Sequence, residues 1–391
     1  MRVALLSWDY PPGVTGLGRA ASEIAAGLTE AGATVEVFTL DRTGTEEADG
    51  VLIHGHRIAP ASVRGRLRPQ PAFGQHVAPA RFARAVRNRH AARPFDVIES
   101  TNWYAPAAHL AGTLPLLVRL STPAAAVPRP VTLPRRLDLA YAHRMETRMV
   151  RAADHRVSNT APHAERMSEH YGLGSLSHEV IELSLDPRVV ASGRACPPPT
   201  GEPELLFVGR AEHRKGFDAV LGAHAALRAA MGEGAPRLTL IGLSPGDLER
   251  ELDAAGLDAS ALRGIEDLGR VDDAALDAAY ARAHAVLAPS RYESYGLVYR
   301  EAAAYGRPVI ACAEDPSAAD FIARTGAGAL APRCDGPALA ETIRRLLSDT
   351  PAQTRARAGG LAAVAALSRR ALGEATLRAY EHAIDSYRSS R

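Results

Sequence analysis

Short apolar runs that alternate with longer amphipathic stretches, in two separate series, constrain this chain more than any other feature. In the first series VALL (3–6), TVEVFTL (34–40), FDVIES (95–100), LPLLVRL (114–120) and HRVSN (155–159) are each followed by a helical pattern. Strand-length runs with crossover helices between them predict a parallel sheet covered by helices. The rhythm pauses at SGRACPPPTGEP (192–203), whose prolines break helices and lack donors for a sheet. It resumes with ELLFVG (204–209), RLTLIG (237–242), GIEDLG (264–269), HAVLAP (284–289) and RPVIAC (307–312). At 391 residues the chain exceeds what one hydrophobic core usually supports. The expectation is an α/β protein of two doubly wound parallel-sheet domains, over 1–191 and 204–368, with a linker at 192–203. Ligand loops are expected where the strands end, facing each other across a cleft.

Composition narrows the class. Apolar residues make up 46% and charged residues 23%, as in an average globular protein. No apolar run approaches the roughly 20 residues of a membrane helix, and the opening MRVALLSWDYPP is too short in its apolar part for a secretory signal. A cytoplasmic protein is expected. Cys196, Cys312 and Cys334 are odd in number and lack CxxC spacing, which argues against a disulfide framework or a zinc site. The net charge of +2 hides an asymmetry: 50–95 holds no acidic residue while Arg57, Arg64, Arg66, Arg68, Arg81, Arg84, Arg87, Arg89 and Arg93 accumulate. Residues 78–92 can form a helix with Phe82 and Val86 on one side, which reads either as a solvated basic face or as a peripheral contact with an anionic membrane. The apolar face is narrow, which favours the solvated reading over a membrane contact through 57–93. Without aromatic interleaving or a known module, nucleic acid is not an expected partner.

Three segments carry candidate chemistry. The stretch RYESYGLVYREAAAYGRPVI (291–310) places Glu293 where a loop meets a helix N-terminus. Glu301 follows eight residues later, about 80° further round a helix if both lie on it. Taken alone, the pair reads equally as a cap and a solvated glutamate. FVGRAEHRKG (207–216) runs from a strand into Gly209, then Arg210, and reaches Lys215 and Gly216 at the next helix. Its two cations suit phosphate oxygens, the arginine as a planar fork and the lysine as a point charge, though surface charge alone also explains them. In SWDYPPGVTGLGRAASEIAAGL (7–28), Gly16 and Gly18 precede a helix and allow a ligand close to the backbone; they read equally as turn residues. The loop lacks the third glycine of GxGxxG.

Together these segments resemble the family 4 retaining glycosyltransferases of the GT-B fold, whose Glu, seven residues, Glu signature stands here as Glu293 to Glu301. The resemblance implies two Rossmann-like domains and a C-terminal helix, 369–391, that returns to the first. It implies a hexosyltransferase that moves a sugar from a nucleotide-activated donor, a UDP-sugar in preference to a GDP-sugar, to a hydroxyl of a small-molecule or lipid-linked acceptor. Arg210, Lys215 and Glu293 inherit the catalytic roles. Glu293 with the backbone of Ser294, Tyr295, Gly296 and Leu297 takes the donor sugar and phosphates, Glu301 the ribose, and Arg270 and Val271 the base. Gly16 and Gly18 meet the donor phosphates, and Asn102 and Trp103 fall on the acceptor side.

Departures qualify the match. Relatives carry a histidine where this chain has Ser121, followed by Thr122; a hydroxyl cannot replace its charge but can bond a sugar hydroxyl. No Asp-x-Asp appears, so no metal cofactor is expected and cationic side chains with backbone amides neutralise the leaving group instead. A nucleotide-sugar epimerase and a non-catalytic GT-B binding protein are the alternatives.

Overall fold

The computed structural model describes residues 1–12, 15–70, 74–126, 132–257 and 263–391. Gly13 and Val14 of the glycine loop and residues 71–73 of the arginine-rich stretch lie outside the described residues. The chain forms two compact units, Met1–Ser184 with Leu367–Arg391, and Leu185–Ala366. The stretch 192–203, expected as a linker, therefore lies within the second unit. Helix Pro187–Ala195 runs into it, and the Arg307 and Arg357 guanidiniums hold the carbonyls of Pro197 and Cys196 at 2.8 and 2.6 Å. Prolines stop that helix, but arginine donors still anchor the segment.

The first unit is built on a sheet whose strands, in chain order, are β1 (Arg2–Leu6), β2 (Thr34–Thr39), β3 (Thr43–Ala48), β4 (Val51–His56), β5 (Val97–Thr101), β6 (Leu116–Arg119), β7 (His155–Ser158) and β8 (His178–Val180). Their spatial order is β3-β4-β2-β1-β5-β6-β7-β8. Every pairing is parallel except β3 with β4, an antiparallel edge that the expected all-parallel rhythm did not include. β3 reads TGTEEA and is exposed along its length, so no apolar run marks it. β1 is buried throughout and apolar after Arg2, as suits a strand covered on both faces.

Helix Gly74–Ala92 turns Phe82 and Val86 into the core of this unit, where both are fully buried. The apolar side of the arginine-rich segment is thus occupied by protein packing, and lipid has no access to it. Burial of one such side chain contributes about 1.5–3 kcal/mol. Arg89 from the same helix pairs with the buried Glu36 of β2 at 2.7 Å.

The C-terminal helix, Arg369–Ser389, packs on helix Gly16–Glu30. Glycines permit this approach: a Cβ on Gly373 would stand 1.9 Å from the Gly27 carbonyl oxygen, and one on Gly27 would stand 2.5 Å from that of Arg369. Polar groups fix its register. Arg119 of β6 bonds Glu99 of β5 at 2.6 Å and Thr376 of the helix at 3.1 Å, and Tyr380 donates to Glu99.

The second unit carries β9 (Glu204–Val208), β10 (Arg237–Ile241), β11 (Ile265–Asp267), β12 (Ala285–Leu287), β13 (Val309–Cys312) and β14 (Gly328–Ala331). All are parallel, in the order β11-β10-β9-β12-β13-β14. Strand order reverses between β9 and β12, so the loops after those strands diverge and leave a crevice at their carboxyl ends. In the first unit the same reversal falls between β1 and β5.

Candidate functional site

The reversal in the second unit is where the candidate cations and carboxylate meet. After β9 the chain passes Gly209 and Arg210, forms a single 3-10 turn at His213–Lys215, and reaches Gly216 at φ +68°. A Cβ on Gly216 would stand 2.0 Å from the Pro289 carbonyl oxygen, so only glycine lets this loop press against the loop that follows β12. Two further ties join them: the Arg291 N–H donates to the Arg214 carbonyl at 2.9 Å, and the Arg291 guanidinium grips Asp218 through two bonds of 2.8 Å.

Between these loops the Lys215 ammonium donates directly to Glu293 Oε1. Arg214 reaches the same oxygen at 3.4 Å and the Tyr292 carbonyl at 3.0 Å, and the Ser290 hydroxyl bonds it at 3.0 Å. Burial would raise the Glu293 pKa, but the Lys215 and Arg214 charges outweigh it and hold the carboxylate below its usual range. An ammonium has three donors, so Lys215 keeps capacity for a second anion. Arg210 is exposed, pairs with Glu212 at 2.8 Å, and is not among the groups that bond Glu293.

The helix begins at Leu297, so Glu293 stands in the loop ahead of it and the angular relation expected between two helical glutamates does not apply. Gly296 turns the chain at φ +76°, and a Cβ there would meet the Tyr299 ring at 2.3 Å. At this N-terminus the first helical N–H groups have no intrahelical acceptor. The Tyr295 ring lies under the buried Arg300 guanidinium, 3.6 Å from its centroid, and Ser294 is half-buried. Glu301 is buried and accepts the Tyr280 hydroxyl at 2.8 Å. Arg270 is exposed and Val271 half-buried; they follow Gly269, whose carbonyl accepts the Gly242 N–H at 2.6 Å.

Asp315 joins the site without a motif that marks it. Its Oδ1 accepts the Glu293 N–H at 3.3 Å and the Ser317 N–H at 3.2 Å, and its Oδ2 accepts the Tyr299 hydroxyl at 2.5 Å. Burial pushes its carboxyl up to about 6, and the Glu293 charge adds to the rise against the Tyr299 hydrogen bond. Two neighbouring carboxyls are thereby driven apart, one ionised and one able to hold a proton near pH 6. The DPS run signals a helix cap, and Asp315 does cap Pro316–Thr325; nothing in it signals contact with Glu293.

In the first unit, Asp9 claims much of the glycine loop. Its carboxylate accepts the Thr15 N–H at 2.6 Å and lies 3.0 Å from where a Gly18 Cβ would stand. Gly16 and Gly18, expected ahead of the helix, are its first and third residues: Thr15 caps it by accepting the Gly18 N–H at 3.4 Å, whereas Gly16 faces open space. Trp8 donates to the Trp103 carbonyl at 2.8 Å, and Trp8, Trp103 and Tyr104 form an edge-to-face cluster.

Asn102 and Ser121 are brought together. Asn102 Oδ1 accepts the Ser121 N–H and hydroxyl at 2.6 and 2.9 Å, while its amide donates to the Ser121 carbonyl and the Tyr171 hydroxyl at 3.2 and 2.9 Å. With both lone pairs and both donors engaged, the buried Asn102 positions Ser121 and has no group left for an acceptor. Thr122, next in the chain, is half-buried.

The network continues from Tyr171 to Glu146 at 2.9 Å, and Glu146 accepts the Tyr104 N–H at 2.8 Å. Tyr104 and Ala105 sit at φ +53° and +46°, a strained conformation for non-glycine residues. Burial raises the Glu146 pKa to about 7, against the three hydrogen bonds it accepts. A raised carboxyl pKa means that between about 4.5 and 7 the folded state binds more protons than the unfolded, so stability falls as pH rises through that window. Wild type should lose stability relative to Glu146→Gln there, by at most about 1.4 kcal/mol per pH unit. Denaturant melts of both proteins from pH 4.5 to 8 check this, and a constant difference contradicts it.

Comparison with known proteins gives the fold and the family. Sucrose-phosphate synthase from Thermosynechococcus elongatus shares the fold with a TM-score of 0.76 at 22% identity, over 97% of this chain and 98% of that one. The class is the GT-B fold. Residues 194–361 match the model of the glycosyl transferases group 1, and residues 15–183 that of the glycosyl transferase 4-like domain. Glycogen synthase of Mycobacterium tuberculosis strain H37Rv is 29% identical over 92% of this chain and 89% of its own length. D-inositol 3-phosphate glycosyltransferase of Salinispora arenicola is 31% identical over 84% and 78%. The chain belongs to the group 1, family 4 glycosyltransferases and is an enzyme of that kind.

Proposed function

We propose that this glycosyltransferase moves a hexosyl group from a UDP-sugar, with a GDP-sugar second, to a hydroxyl of a small-molecule or lipid-linked acceptor, with retention at the anomeric carbon. The observation that carries the reading is the Lys215–Glu293 pair, which joins loops 78 residues apart in sequence at the point where strand order reverses. Lys215 and Arg210 hold the diphosphate, Glu293 and the backbone of 294–297 hold the sugar and phosphates, and Glu301 with Arg270 and Val271 holds the nucleoside. The leaving phosphate takes the acceptor's proton, and the fixed cations stabilise the charge that develops on it. In the first unit Trp103, Ser121 and Thr122 are the candidates for the acceptor. For a lipid-linked acceptor, peripheral contact falls to helix Val63–Leu67, where Val63 and Leu67 are exposed among Arg64, Arg66 and Arg68. Among the described residues no helix is long and apolar enough to cross a membrane.

A thermal-shift screen against UDP, GDP, ADP and dTDP tests the donor. A ligand at about 100 times its Kd stabilises by about 2.7 kcal/mol, and the shift for UDP should be the largest. No shift with any of the four contradicts the proposal. With cations in place of a metal clamp, transfer is expected to persist in excess EDTA; loss on chelation, restored by Mg²⁺ or Mn²⁺, would contradict that assignment.

A further inference from the structure

A second cluster of ligating side chains stands in the first unit, away from the loops already described. His155 opens β7, Glu179 lies in β8, and His382 projects from helix Arg369–Ser389. Parallel pairing sets Glu179 beside Val157, and His155, two residues before Val157, shares its face of the sheet. The C-terminal helix packs against β7, which brings His382 to the same place. One ligand atom from each of the three lies within 4.8 Å of the other two.

We propose that His155, Glu179 and His382 form a binding site for a divalent transition-metal ion of zinc type. Two imidazoles and one carboxylate suit zinc, whereas magnesium and calcium favour oxygen-only sets. His155 Nε2 stands 2.8 Å from Glu179 Oε1, and His382 Nδ1 stands 4.0 Å from the same oxygen. Tetrahedral ligands at about 2.0–2.1 Å from zinc stand about 3.3 Å apart, so changes of about 0.5 to 1.5 Å in the separations between these atoms seat the ion. His382 and Glu179 are exposed enough to make them and leave solvent the remaining position. His155 is already oriented: its Nδ1 bonds the Ser177 hydroxyl at 2.8 Å, and because a hydroxyl accepts as well as donates, Nδ1 can carry the proton when Nε2 gives up its contact with Glu179 to take a metal. The site lies at the amino end of β7, whereas the Trp103 and Ser121 loops follow the carboxyl ends of β5 and β6. The ion therefore ties the C-terminal helix to the sheet and takes no part in transfer.

Tag-free full-length protein, stripped with EDTA and dialysed, is titrated with ZnCl₂ by calorimetry and with CoCl₂ by visible absorption. The expected result is one zinc per chain and cobalt bands of a four-coordinate, nitrogen- and oxygen-ligated ion. His382→Ala removes an exposed side chain and keeps the fold; it and Glu179→Gln should each weaken zinc binding by about tenfold or more. Absence of zinc binding in the wild type, or affinity unchanged in both variants, overturns the site.

Discussion

Glu293→Gln is expected to lower the rate of sugar transfer on the order of 10²-fold while leaving UDP affinity equal or slightly tighter. The sign of the second part follows from the ion pair. Glutamine keeps a side-chain oxygen for the Ser290 hydroxyl at nearly the same volume, but it no longer neutralises Lys215 and Arg214. Those cations then present more charge to a bare diphosphate. The transition state loses a carboxylate placed for the sugar, and contacts that strengthen only there show in turnover, not in affinity. Glu301→Ala differs, because it removes a contact proposed to be uniform between ground and transition states. It should weaken UDP and UDP-sugar alike. Calorimetry with UDP beside transfer rates for both variants checks the pair of predictions. If Glu293→Gln loses UDP binding while Glu301→Ala keeps it and loses only turnover, the two roles are reversed.

What could be read in the sequence was whatever burial writes into it. β1, β2, β5 and β6 and the strands β9, β10, β12 and β13 each fall largely within a run rich in apolar residues, because a strand covered on both faces buries most of its side chains, whereas β7, HRVS, buries polar groups and is marked only by its place in the rhythm. β3 is exposed, β8 has three residues and none fully buried, and β14 is GALA; none of them carries enough apolar surface to stand out. The stretch 192–203 shows the limit of composition: its prolines end a helix, but arginines distant in sequence, Arg307 and Arg357, place it in the second unit.

At the candidate site, Lys215 and Glu293 were legible through their motifs, and the structure adds that they touch. Arg214 sits inside the same motif, but sequence does not say which of two adjacent cations turns inward. Asp315, Tyr280 and Glu146 act through contacts with partners 16 to 42 residues away. Local pattern carries no signal for such pairs. Asn102 was expected to face the acceptor, and burial gives it Ser121 to position instead.

Lys215→Ala is the other large effect expected. Removing one charge-assisted contact to a phosphate costs about 1.5–3 kcal/mol, which is roughly ten- to 150-fold in affinity. Lys215 also supplies the closest cation to a buried carboxylate, and stripping a partner from such a group is destabilising in proportion to its burial. Arg214 remains at 3.4 Å from Glu293 and offsets part of that loss, so the variant should still melt cooperatively at a lower temperature. Arg210→Ala removes an exposed side chain paired with Glu212, and should weaken diphosphate binding with little change in melting. Calorimetric titration of UDP and GDP into wild type, Arg210→Ala and Lys215→Ala tests the central claim most directly. The prediction is that wild type binds UDP more tightly than GDP, that both variants bind their nucleotide at least about tenfold more weakly, and that both remain folded. Unchanged affinity in two folded variants would remove the diphosphate from the loops that follow β9 and β12.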